Sequence, residues 1–127
     1  MSGAAPTGGG QFVEQVISYH AVTAGAGGAA DDVTIYNANL PFRMRIVDAY
    51  FLTTAGEAGG RTVTLRSAAV GAGTAYTSAI TCTATGKAFD NITTAPAVAA
   101  QNSSLFLRRS DSAIAGVLVI YGMPESA

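Results

Sequence analysis

The chain has 127 residues, the size of one domain, with 49% hydrophobic but only 8% aromatic residues and a formal net charge of −1. That length leaves no room for two comfortable cores, and the charge argues against a nucleic-acid binder, which would carry a basic stripe with interleaved aromatics. Charged residues make up 12% of the chain, against about 25% in typical domains, so the surface reads either as a neutral Thr/Ser/Ala skin or as one largely covered by neighbours.

Met1 to Gly10 contains no residue large enough to pack and reads as a flexible N-terminal arm, followed by a single domain over residues 11–127. The first residues carry neither a basic stretch nor an apolar one, so no secretory signal is expected, and no segment has the apolar length of a membrane span. Gln11 to Val22 fits two periods: Phe12, Val13, Val16, Ile17 and His20 would share a helix face, whereas Val13, Ile17, Tyr19 and Ala21 would share a strand face. Its β-branched and aromatic content favours a strand from about Gln15.

From Asp31 the pattern is strand after strand. Val33 to Tyr36 is a short strand, and Asn37 to Pro41 a turn in which Pro41 restricts Leu40 to extended geometry. Phe42 to Thr54 is the longest strand, closed by the Gly-rich turn Ala55 to Gly60. Arg61 to Ser67 alternates, with Val63 and Leu65 on one face. Thr74 to Thr85 reads as a kinked Thr-rich strand, Lys87 to Thr93 as another, and Ala95 to Asn102 as a loop or one helical turn. Leu105 to Arg109 and Ala115 to Met123 complete the set. About eight short strands without a long helix specify an all-β fold, a β-sandwich or barrel. Ile46 to Leu52 and Val117 to Tyr121 are apolar on both faces, which requires a cover for the second face: another copy, or a folded-back arm or loop.

Catalytic constellations are sparse. His20 is the one histidine, so a multi-histidine metal site cannot be assembled within one chain, and a Ser/His/Asp triad around it lacks a nucleophile-elbow motif. Most carboxylates fall at turns or termini. Asp48 interrupts an apolar run and therefore needs an ion pair or backbone hydrogen bonds. Asp31-Asp32 has no Asp-x-Asp-x-Asp context for Ca²⁺. Cys82 rules out an intrachain disulfide and reads as a small buried hydrophobe. Neither an enzyme nor a bound cofactor or metal is expected. Sugar-binding aromatic platforms are not evident, because the tyrosines are dispersed along the chain.

The stretch Asp32-Val33-Thr34-Ile35-Tyr36-Asn37-Ala38-Asn39-Leu40-Pro41-Phe42-Arg43-Met44-Arg45-Ile46-Val47-Asp48-Ala49-Tyr50 resembles the small jelly-roll proteins of tailed-bacteriophage particles. Thr62 to Arg66, Asn102 to Leu107 and the closing apolar strand continue the likeness over most of Asp31 to Met123. The resemblance implies a jelly-roll β-sandwich serving as a capsid decoration, or cement, protein: a homotrimer on the virion surface, made in the host cytoplasm, that binds the major capsid protein and bridges capsomers. Attachment is then expected from the arm, through Ser2, Ala5, Pro6 and Thr7. Subunit contacts are expected from outward residues of the long strand, Arg43, Arg45, Val47 and Phe51, and from Arg108 and Arg109. That facing rests on strand parity, which one bulge would reverse. The alternatives are a glycan- or receptor-binding jelly roll of a head fibre or tail, and a small hydrolase or isomerase with a pocket around His20.

Overall fold

The computed structural model describes residues 15–90 and 98–125. Nine strands are present among them: β1 (Val16–Val22), β2 (Asp31–Tyr36), β3 (Met44–Ala55), β4 (Thr62–Arg66), β5 (Ile80–Thr81), β6 (Gly86–Asp90), β7 (Val98–Ala99), β8 (Leu105–Arg109) and β9 (Ala115–Pro124). The arm expected over Met1 to Gly10, with Ser2, Ala5, Pro6 and Thr7, lies outside the described residues.

The strands form two antiparallel sheets. One runs β1-β9-β3-β6, with β7 on the end of β3, and the other runs β2-β8-β4-β5. Early strands therefore pair with late ones in a nested series: β1 with β9, β2 with β8, β3 with β6, β4 with β5. With the small β7 set aside, this is the doubly wound arrangement of an eight-stranded jelly roll. The ambiguous N-terminal segment is a strand because its residues alternate between the two faces of a sheet. Ser18 and His20 sit on the partly buried side, and Ile17 and Tyr19 face out.

The core lies between the sheets. Ile46, Phe51, Leu118 and Ile120 from the first sheet meet Val63, Leu65, Ile80, Leu105 and Leu107 from the second, all essentially fully buried. Each such side chain contributes about 1.5–3 kcal/mol, which is how an Ala-rich chain with few aromatics still secures a sandwich. Cys82 belongs to this core, its thiol directed at the Ile80 carbonyl at 3.6 Å. Leu40 is fully buried beside the turn in which Pro41 was expected to hold it extended.

Two expected elements differ. Thr74 to Thr85 is not one kinked strand: it narrows to β5, preceded by an isolated bridge from Ala75 to Arg66. Tyr76, Thr77, Ile80 and Cys82 are buried at irregular intervals that a single alternating strand would not give, and the chain between them folds through turns. Ala95 to Asn102, expected as a loop or helical turn, contains β7, which pairs Val98 and Ala99 with Arg45 and Met44.

One end of the sandwich is tightly laced. Asp111 accepts hydrogen bonds from the backbone of Gly28 and Ala113 and an ion pair from Arg61, while Ser112 accepts from Gly25 and Gly27. The Gly25 to Gly28 loop is thus a structural tie between β1, β2 and the β8–β9 turn.

Candidate functional site

The sequence left open what covers the second face of the two doubly apolar strands. In the structure β9 is central, flanked by β1 and β3, so the outward side chains of three strands form one surface. Register fixes its rows. Ile17 stands beside Tyr121 and Asp48, Tyr19 beside Val119 and Tyr50, and Ala21 beside Val117 and Leu52. Ile17 is 44% exposed, Tyr19 68% and Leu52 36%. Val119 points the same way, outside the core cluster, yet is only 3% exposed because it lies in the row between Tyr19 and Tyr50.

A bulge decides which residues of β3 reach this face. Register shifts between Ile46 and Asp48, so Val47 is the extra residue opposite β9. Beyond it the parity reverses. Asp48, Tyr50 and Leu52 face out, while Ala49, Phe51 and Thr53 face in. Phe51, expected as an outward contact residue, is instead fully buried in the core.

Between Ile17 and Leu52 the described polar groups of the face are tyrosine hydroxyls and the Asp48 carboxylate. The Tyr50 and Tyr121 rings have centroids 5.9 Å apart at a 35° tilt. A hydrogen bond with Tyr50 raises the Tyr121 pKa above its ordinary value, with burial and the nearby Tyr50, Tyr19 and Asp48 charges acting in the same direction. Asp48 Oδ1 accepts the Ala49 backbone N–H at 2.8 Å. Of the two partners the sequence demanded for this carboxylate, the structure supplies the backbone one.

The remaining expected contact residues are dispersed. Arg43 is exposed just before β3, where its carbonyl accepts from the Glu125 N–H. Arg45 is committed within the chain, its Nε 2.6 Å from Glu125 Oε2, a pairing that raises its own pKa and lowers that of Glu125. Val47 is half-buried at the bulge. Arg108 and Arg109 belong to the other sheet. Arg108 pairs with Asp32 at 3.0 Å, on the face that the loop after β4 crosses when the Val70 N–H reaches Asp32 Oδ2. Arg109 is 4% exposed and holds Asp31. Arg109 is therefore a core tie and not a contact residue: it is the third inward side chain of β8 after Leu105 and Leu107. Asp31 and Asp32 each form an ion pair with one of these arginines.

His20 does not gather a triad. Its Nε2 lies 3.0 Å from Ser18 Oγ, the neighbouring inward residue of the same strand, and its ring meets Tyr36 edge-on at 5.2 Å. A base that activates a hydroxyl needs a third group to orient it, and here the third partner is an aromatic ring. His20 and Tyr36 bridge β1 and β2, one from each sheet, at the side of the sandwich opposite the β5–β6 contact.

Tyr19, Tyr50 and Tyr121 come from distant parts of the chain, and their convergence was not visible in the sequence. The signal that would have found it is the pair of doubly apolar strands, combined with the Val47 bulge that turns Tyr50 outward. No protein-family model, curated protein or solved structure matches the chain.

Proposed function

We propose that the chain is a structural subunit of a virus particle, a decoration protein that binds the outer capsid surface as a homo-oligomer and cements neighbouring capsomers. The observation that carries this reading is the open outer face of the first sheet, where Tyr19, Ile17 and Leu52 stand exposed around Val119. Apolar side chains gathered on one open sheet face suit burial against a neighbour, as the low charge of the chain suits a subunit surrounded by protein. The residues that resemble phage decoration proteins, Asp32 to Tyr50, run from β2 through the Leu40 turn into the first half of β3.

Magnitude limits what the face does alone. Three strands about 4.8 Å apart and five residues long, at about 3.3 Å each, cover on the order of 250 Å², whereas a stable interface buries about 800 Å² per partner. Shell binding therefore draws on more than one patch, and Ser2, Ala5, Pro6 and Thr7 are assigned the remainder. Co-sedimentation with emptied shells of the parent particle tests the reading. Wild-type protein is expected in the shell fraction, and Leu52→Asp at least tenfold less so. Wild-type protein that stays in the supernatant defeats the proposal.

The three tyrosines favour one other reading, a glycan-binding module, because tyrosine faces beside a carboxylate can stack on a sugar ring and accept its hydroxyls. That reading requires saturable binding on a glycan array that Tyr19→Ala abolishes.

A further inference from the structure

Among the described residues β1 is hydrogen-bonded on one side only, to β9, and its other side is a sheet edge. Its seven residues, Val-Ile-Ser-Tyr-His-Ala-Val, include no Lys, Arg, Asp, Glu or Pro. The pairing with β9 runs from Val16 to Val22 without a register shift, so no bulge bends the edge away. Natural proteins guard exposed edges with charge, proline, bulges or brevity, because a bare edge templates another strand.

The other edges are guarded in these ways. β2 carries Asp31 and Asp32, both ion-paired, and a register shift between Thr34 and Tyr36. β5 is two residues long. β6 begins at Gly86 with φ +117° and lies against β5. β1 alone combines length, regularity and neutrality.

We propose that β1 is a pairing edge for a second copy of this chain: two β1 strands join antiparallel about a two-fold axis at Tyr19, and the two first sheets become one continuous sheet. The strand is its own complement in that arrangement. Tyr19 faces Tyr19 of the other copy, Ile17 faces Ala21, Ser18 faces His20, and Val16 faces Val22, so outward residues meet outward ones and inward residues meet inward ones. An uncharged strand selects no charged partner, whereas a two-fold pairing satisfies both edges at once and closes the assembly at two. The pairing also doubles the Ile17–Tyr19–Leu52 face. This deepens the decoration reading by giving its oligomer a geometry, and it differs from the three-fold assembly that the resemblance implies.

Light scattering after size exclusion on the full chain should give twice the 12.8 kDa chain mass. Tyr19 is 68% exposed, so Tyr19→Lys should place a charge on the edge, return the mass to that of one chain and leave the circular dichroism of the folded β protein intact. Tyr19→Cys provides the second measurement. Directly opposed residues in an antiparallel pair have Cα atoms about 4.5–5.5 Å apart, within the roughly 4.4–6.8 Å that a disulfide spans, so mild oxidation should link two chains through position 19. Ala21→Cys is the control. Its two copies would sit roughly 14 Å apart along the strands, and no link should form. Cys82 is buried and silent.

A wild-type monomer, a trimer, a dimer that survives Tyr19→Lys, or equal cross-linking at positions 19 and 21 overturns the pairing. A dimer that ignores shells overturns the decoration reading alone, and a monomer that coats shells overturns the pairing alone.

Discussion

Arg109 grips Asp31 with both prongs of its guanidinium, Nε to Oδ1 at 2.8 Å and Nη2 to Oδ2 at 2.7 Å. The third nitrogen, Nη1, donates to the carbonyls of Thr23 at 2.8 Å and Ile114 at 2.6 Å. One buried side chain on β8 thereby fixes β2, the segment leaving β1 and the turn into β9. Only arginine presents enough donors in a rigid fork to serve all four acceptors.

Arg109→Met should therefore cost about 3 kcal/mol, the lower end of the range for breaking a buried pair, since Asp31 is 37% exposed and partly rehydrates. Arg109→Lys should recover less than half of that loss, because one ammonium cannot span the carboxylate and both carbonyls. Urea denaturation midpoints at neutral pH measure both variants.

Gly116 and Gly122 both lie on β9 opposite β3, yet they differ in what surrounds them. A methyl group on Gly116 would collide with the Leu52 carbonyl and come within 2.8 Å of Phe51 Cζ, both held by sheet and core. On Gly122 the nearest atom is the thioether sulfur of Met44, at 2.5 Å, near the end of an unbranched side chain that can change rotamer more readily than a backbone carbonyl can move. Gly116→Ala should destabilise by about 3 kcal/mol or more and Gly122→Ala by about 1 kcal/mol or less, from the cost of overpacking. Thermal melts of the two variants should separate clearly. Equal losses would contradict this account of β9.

His20 gives the fold a pH dependence. Burial beside Ser18 and Tyr36 lowers its pKa below the ordinary 6.5, so the unfolded chain takes up a proton at higher pH than the folded one. Stability from this group is complete above the unfolded pKa and is lost as pH falls from about 6.5 through the folded value. Urea midpoints should decline over that window, and His20→Gln should flatten the decline. A further loss begins nearer the ordinary carboxylate values of 4.5 and 3.8, where Glu125 and Asp111 take up protons in the unfolded chain but, being lowered, not yet in the folded one.

Tyrosine ionisation reads the outer face directly. Tyr121 is raised by its hydrogen bond with Tyr50, and Tyr76 by burial. Ultraviolet titration should show late-ionising tyrosines, and Tyr50→Phe should move Tyr121 back toward 10.0 while leaving Tyr76 in place. An unchanged titration would remove the Tyr50–Tyr121 hydrogen bond from the picture.

Much of the fold was legible because alternation is a local signal. Val63 and Leu65 on β4 face the core as their spacing predicts, and Leu105 and Leu107 on β8 do the same. The bulge at Val47 was not legible. Nothing in Ile46-Val47-Asp48 distinguishes two residues opposing one, because a bulge is settled by the partner strand. That single extra residue sent Phe51 inward and Tyr50 outward, and with it went the expected contact surface. Arg109 was misplaced for a related reason: an arginine reads as surface until its carboxylate and carbonyl partners are seen. The convergence of Tyr19, Tyr50 and Tyr121 depends on three pairings across the length of the chain, which no local pattern encodes.

The nested pairing has a consequence for the order of events in synthesis. β1 finds its partner in β9, with Val16 opposite Gly122 near the other end of the chain. Contacts this remote in sequence form slowly and late. β1 therefore lacks its sheet partner until β9 has been synthesised, and the edge proposed to recruit a second copy takes shape only then. A nascent chain cannot pair prematurely through an edge it has not yet built.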